Sequence, residues 1–284
     1  MKIQKSFVDE NPSLYLVATP IGNLNEMTPR AIEILKSVDC ILCEDTRTSQ
    51  KLLSHFEIKT PLLSYHMHNE KSRSEMILKR LDEGESLALI SDAGYPLISD
   101  PGQVLVNEVV AHDYAVIPIS GSSAFLNALV ASGQVVQPFT FMGFMENKTS
   151  QLKQQIEDIK NVPHTLIFYV SVHKIENSIQ VLYDILGNRQ VTLAREITKR
   201  HEEFIRTDLK SLCETELTLK GEFVLVLEGN TTKEVITIDS LLTKVTQEIE
   251  DGLSPSRAIS KVSKDHHFSK NELYQAYQSR KEVI

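Results

Sequence analysis

The sequence predicts an α/β fold made of two α/β domains and a small C-terminal helical segment. Three features point that way. Strand-like apolar runs alternate with helix-like runs as far as residue 120, a second set of strands and helices fills 121–231, and strand runs stop after 239. The expected boundaries are therefore 13–120, 121–231 and 232–284.

In the first part LYLVA (14–18) precedes TPRAIEILKSV (28–38), and VDCILCE (38–44) precedes TRTSQKLLSHF (46–56). PLLSYH (61–66) then leads to EKSRSEMILKRLDEG (70–84), SLALISD (86–92) to PGQVLVNEVVAHD (101–113), and YAVIPIS (114–120) closes the series. Such alternation builds a parallel sheet with helices on both faces. Gly84 is a natural helix stop.

GSSAFLNALVASG (121–133) reads as a helix capped by Ser122 or Ser123 and ended by Gly133. PFTFMGFM (138–145) is a strand, TSQLKQQIEDIKNV (149–162) a polar helix, and TLIFYVS, HKIENSIQVLYDILG and RQVTLARE (165–196) a β-α-β pattern. EEFIRTDL (202–209), the helix SLCETEL and the strand GEFVLVLEG (221–229) complete the second domain. Beyond it come three short helical segments with balanced charge, either a solvated bundle or a nucleic-acid foot carrying Tyr274, Arg280 and Lys281.

The net charge of -8 means that any nucleic-acid binding has to come from a local basic patch. No apolar run is long enough for a signal peptide or a membrane span, so a cytoplasmic protein is expected, with no membrane partner. Cys40 and Cys43 form a C-x-x-C inside a strand, where positions i and i+3 face opposite sides. They are expected to be buried small hydrophobes rather than a zinc or redox pair.

The loop VATPIGNLNEMTP (17–29) sits where open α/β sheets bind ligands. It holds one glycine, Gly22, and Pro20 lacks an N–H, so it suits a pyrophosphate poorly. The chain has no Gly-Lys-Ser/Thr triplet either. SDAGYPLISDPG (91–102) follows the fourth strand and reads as a ligand loop, with Asp92 projecting from the strand end. CEDTRTS brings Glu44, Asp45 and Arg47 to the same rim, and SYHMHNE brings His66, His68, Asn69 and Glu70. The histidines suit acid–base work or substrate contact better than metal; no metal is expected. LAREITKRHEEF gathers Arg195, Lys199, Arg200 and His201, which either grip phosphates or form a solvated connection.

Taken in order, VATPIGNLNEMTPRAIEIL, CEDTRTS, SDAGYPLISDPG, SGSSAFLNALVASG, FTFMGFM, TLIFYVSVHK and LAREITKRHEE resemble the tetrapyrrole methylase superfamily of S-adenosylmethionine-dependent methyltransferases, in particular its ribosomal-RNA branch. The resemblance covers residues 13–231. It implies two α/β domains of the tetrapyrrole methylase type with the S-adenosyl-L-methionine cleft between them. It also implies a homodimer and 2′-O-methylation of a cytidine ribose in the decoding region of 16S rRNA, within the small ribosomal subunit.

Carried over residue by residue, the resemblance implies cofactor contacts at Pro20, Asp92, Ala93, Gly94, Ser122 and Ser123, with Phe141 and Met142 nearby. The chain reads YVSVHK (169–174) where the family carries a glutamate and an arginine, so Val170 and Lys174 depart from the pattern. A ribose hydroxyl is a weak nucleophile and needs an acceptor for its proton. Glu44, Asp45 and His66 are the expected acceptors, and Arg47 is expected to place a phosphate. Asn69, Glu70, Arg195, Lys199 and Arg200 are the expected substrate contacts. The alternatives are a methyltransferase for a tetrapyrrole or other small molecule, and a non-catalytic ribosome-assembly binder that keeps the pocket.

Overall fold

In the computed structural model the described residues are 3–6, 11–231, 238–266 and 268–281. The first helix shows how local chemistry sets the elements. Strand β1 (Ser13–Val17) leads to helix α1 (Pro29–Ser37), where the Thr28 hydroxyl accepts from the Ala31 amide and proline occupies the first turn. Next come β2 (Cys40–Cys43) and α2 (Thr46–His55), whose first turn is capped by Asp45. Then follow β3 (Leu62–Ser64), α3 (Glu70–Asp82), β4 (Leu87–Ile90), α4 (Gln103–Ala111) and β5 (Ala115–Ile119).

These strands form a parallel sheet in the order β3-β2-β4-β1-β5. Cys40 packs with Leu14, Leu42 and Leu87 on one face, and Cys43 with Val17, Ile41 and Ala88 on the other. The two thiols are therefore separated by the sheet. The order reverses beside β1 and β4, so the loops after these strands meet at its carboxyl edge.

Helix α5 (Ala124–Ser132), stopped by a left-handed Gly133, precedes the second sheet. Its elements are β6 (Phe139–Phe144), α6 (Thr149–Asp158), β7 (Thr165–Val170), α7 (Ile175–Leu186), β8 (Gln190–Arg195), β9 (Glu203–Asp208), α8 (Leu209–Glu214) and β10 (Phe223–Leu227). The order is β6-β7-β10-β8-β9. β10 is inserted between β7 and β8 and runs antiparallel to both, so the β7-α7-β8 crossover skips a strand. Helix α8 starts at Leu209, because the Asp208 carboxylate caps the Ser211 amide at 3.0 Å. α5 packs Ala128 and Leu129 against Ile167, Ala194, Val224 and Val226 of this sheet.

One compact unit, Met1–Gly229, holds both sheets; Asn230–Ile284 forms a second. The second unit carries α9 (Ile238–Glu250), α10 (Pro255–Asp265) and α11 (Lys270–Lys281), which bury Leu241, Val245, Ile259, Val262 and Leu273 together. Among the described residues no helix is long and apolar enough to cross a membrane.

Candidate active site

The loop after β1 and the loop after β4 are zipped together. The Thr19 amide donates to the Gly94 carbonyl at 2.9 Å and the Gly94 amide returns a bond to the Thr19 carbonyl at 3.0 Å. The Thr19 hydroxyl donates to the Ser91 carbonyl, and the Ser91 hydroxyl to that of Gly94. Further along, Leu97 and Ser99 hold positive φ values of 72° and 70°. For residues with side chains that conformation costs of order 1–3 kcal/mol each, and it concentrates at functional loops.

Below this loop lies a cleft of about 450 Å³. One side carries Asp92, Ala93, Gly94 and Asp100; α5 contributes Ser123 at its N-terminus; the second sheet contributes Phe144, Tyr169, Val170 and Val224. The apolar side is ordered by ring contacts, with Tyr169 edge-on to Phe141 at 5.0 Å and to Phe144 at 5.3 Å. Val170, one of the departures from the family pattern, is buried in this wall.

The polar side is acidic. Burial, then the neighbouring Glu44 and Asp92, push the Asp100 carboxyl up to about 6. Burial, then Asp45 and Glu44, also raise Asp92. Asp45 moves the other way, because its carboxylate accepts the Arg47 amide at 2.8 Å as the cap of α2. Asp92 and Asp100 thus line the cleft within electrostatic reach of Glu44 and Asp45, and burial raises both lining carboxyls.

Of the residues expected at the cofactor, Asp92, Ala93, Gly94 and Ser123 line the cleft. Pro20 is buried next to Ile21, which lines it. The Ser122 hydroxyl donates to Glu26 at 2.8 Å. Phe141 stacks on Phe125 at 4.4 Å, and Met142 packs into the core on the opposite side of the sheet. A register shift between Phe141 and Phe144, with Gly143 at φ 70°, puts Phe144 into the cleft wall.

Glu44, Asp45 and Arg47 are exposed on the rim. The His66 amide donates to Asn69 Oδ1 at 2.9 Å, and His66 Nδ1 is buried without a hydrogen-bond partner. Glu70 faces inward: its Oε1 accepts from the Tyr65 hydroxyl and the Gly102 amide. Arg195 pairs with Glu203 at 2.8 Å, Lys199 bridges Glu196 at 2.8 Å and Glu222 at 2.9 Å, and Arg200 is exposed. Among the described residues no group of three or more His, Cys, Asp or Glu is placed to hold a metal ion.

Among the cleft residues that escaped the sequence reading are Asp100, Tyr169 and Glu222. Asp100 belongs to the second Ser-Asp pair of SDAGYPLISDPG, so its signal was present. A separate open depression of about 650 Å³ runs along α2, lined by Thr46, Arg47, Gln50, Lys51, Ser54 and Leu62.

The sequence profile described as Tetrapyrrole (Corrin/Porphyrin) Methylases matches residues 13–213. The chain is 43% identical over 286 residues to the ribosomal RNA small subunit methyltransferase I of Halalkalibacterium halodurans, covering 98% of this chain and 99% of that one. It is 42% identical over 272 residues to the protein of the same name from Bacillus subtilis, covering 93% of each. Among solved structures, diphthine synthase superposes with a TM-score of 0.59 at 12% identity, covering 76% of this chain and 90% of that one. The methyltransferase CobJ superposes with a TM-score of 0.57 at 16% identity, covering 79% and 97%. A profile match over residues 13–213, full-length relatives and a shared fold agree: the chain belongs to the tetrapyrrole methylase family, whose methyl donor is S-adenosylmethionine.

Proposed function

We propose that this chain methylates the 2′-oxygen of a cytidine ribose in the decoding region of 16S rRNA, within the small ribosomal subunit in the cytoplasm. The observation that carries the reading is Asp100, a half-buried carboxyl pushed up to about 6 by burial, Glu44 and Asp92, in a cleft at the carboxyl edge of the sheet. The names of the full-length relatives supply the substrate class.

The cleft fits S-adenosylmethionine. Its volume lies within the usual range for small-ligand sites, roughly 300–1,000 Å³. The aromatic and aliphatic wall of Phe144, Tyr169 and Val224 suits an adenine. The start of α5 at Ser123 suits a carboxylate or ribose hydroxyl, and Asp92 offers a counter-charge to a sulfonium. When bound, the cofactor supplies an electrophilic methyl group. The residues do the rest: Asp100 accepts the ribose hydroxyl proton, Glu44 and His66 border the acceptor from the rim, and Arg47 holds a flanking phosphate. Asp45 is committed to capping α2, which leaves it a weaker base.

The domain division at 120/121 and 231/232 belongs to this reading, as does a homodimer. Leu126, Val130, Val135, Val136 and Phe139 form an exposed apolar set on α5, the loop after it and the edge strand β6, which suits burial against a second copy. The net charge of -8 favours, as a second reading, a small-molecule acceptor.

The test is transfer of a radiolabelled methyl group from S-adenosylmethionine to purified 30S subunits, naked 16S rRNA and a tetrapyrrole in parallel. Label in 30S subunits, at a position resistant to alkaline cleavage, is the expected result, because that cleavage needs a free 2′-hydroxyl. Label only in the tetrapyrrole establishes the second reading, and binding without transfer to any of the three leaves an assembly binder.

A further inference from the structure

The geometry points to the exposed face of α2 as a track for the RNA backbone leading to the cleft. This inference rests on the rRNA reading above and deepens it. Arg47, Gln50, Lys51 and Ser54 recur at i, i+3, i+4 and i+7, so they form one stripe. The stripe lines the open depression of about 650 Å³, and no carboxylate lines it. Arg47 and Lys51 form no ion pair with any described residue, whereas Lys199 and Arg195 are spent on Glu196, Glu222 and Glu203.

The surrounding charge gives the stripe its meaning. Asp92 and Asp100 line the cleft with Glu44 and Asp45 in electrostatic reach of them, and the chain as a whole is at -8. A polyanion is repelled from that mouth unless cations beside it hold the backbone. α2 begins one residue after Asp45, so its cations start at the edge of the acidic rim. Arg47 and Lys51 are about 6 Å apart along the helix axis, a spacing that lets each meet a successive phosphate. Gln50, whose amide donates to the Ser54 hydroxyl at 3.2 Å, adds polar contacts between them. The occupant is an RNA phosphate backbone, because an open depression with two cations flanking an amide offers no enclosed pocket for a small anion.

The experiment compares the full-length chain with its R47Q/K51Q variant in binding to transcribed 16S rRNA and to 30S subunits across salt concentration. K79Q, which removes one exposed lysine on α3, serves as the control for loss of surface charge outside the stripe. The expected result is an affinity loss of about tenfold or more near physiological salt and a salt slope lower by roughly 1.5, from two lost phosphate contacts. S-adenosylmethionine binding by calorimetry stays as in the parent, and K79Q binds RNA as the parent does. Parent-like affinity and slope in R47Q/K51Q, with the parent chain binding rRNA normally, overturns the track alone. Failure of the parent chain to bind either RNA overturns the rRNA reading and the track with it.

Discussion

Lys199 lies across Gly22. A side chain begun at Gly22 would bring its Cβ to 2.7 Å from Lys199 Cε and closer still to Cγ, at a backbone φ of 151°. From there Lys199 reaches Glu196 and Glu222, the second of which lines the cleft. The lone glycine of the opening loop thus makes room for a lysine that is held by two carboxylates beside the second sheet.

Gly22→Ala is expected to destabilise the chain by about 1–2 kcal/mol, from backbone strain and displacement of Lys199. Lys199→Ala removes the obstacle. The double variant should therefore lose less than the sum of the two singles, since the residues share one contact. Urea denaturation of all four chains measures this; strict additivity would show that Lys199 is not what Gly22 accommodates.

Asp100 makes both stability and rate depend on pH, with opposite signs. Its carboxyl is raised from 3.8 to about 6 in the fold. Within that window the folded chain keeps a proton that the unfolded chain has released, so stability falls as pH rises through it. Asp100→Asn should then be more stable than the parent at pH 7.5 and equal to it near pH 3.5. With Asp100 as the proposed proton acceptor, methyl transfer draws on its ionised form, so kcat/KM should rise through about pH 6 and level off. In Asp100→Asn that limb should vanish and kcat should drop by roughly 10²–10⁴, while cofactor affinity changes little.

The first sheet was legible because its strands are apolar runs separated by helical repeats, and parallel pairing demands that alternation. The place of β10 was not, because a strand that pairs with β7 and β8 across long separations leaves no local mark. The site divides along the same line. The density of Ser, Asp, Gly and Pro in SDAGYPLISDPG marked the loop, but only the fold distinguishes Asp92 at the rim from the more buried Asp100. Period-2 alternation likewise points past Phe144. The irregularity at Gly143 brings Phe141 and Phe144 to the same ring, Tyr169, three positions apart.

The cysteines give a cheap test of the sheet. Cys40 and Cys43 are buried on opposite faces, while Cys213 is exposed on α8. Burial pushes the Cys43 thiol up, with Asp92 and Asp45 adding to it. A thiol reagent at pH 8 should modify one of the three cysteines in the native chain and all three after unfolding. Fast native labelling of a second thiol, or loss of structure on adding a strong zinc chelator, would contradict this arrangement.

Glu70 separates a structural role from a substrate role most sharply. Its Oε1 accepts from the Tyr65 hydroxyl at 3.2 Å and from the Gly102 amide at 2.9 Å. Tyr65 is fully buried, and burial together with Glu70 pushes its hydroxyl up to about 12. Gly102 ends the loop that carries Asp92 and Asp100, and Leu89 and Leu97 crowd the space a side chain there would fill. Glu70→Ala leaves both donors without their acceptor, at a cost of about 1–3 kcal/mol, and frees the end of the cleft loop. Cofactor affinity should fall several-fold, with KM for RNA nearly unchanged. Glu70→Gln keeps an acceptor oxygen at the same reach and should recover most of both stability and affinity. The reverse pattern, a raised KM for RNA with cofactor affinity intact, would mean that Glu70 turns outward to the substrate, because a residue pinning Gly102 can act on RNA only through the loop that also frames the cofactor.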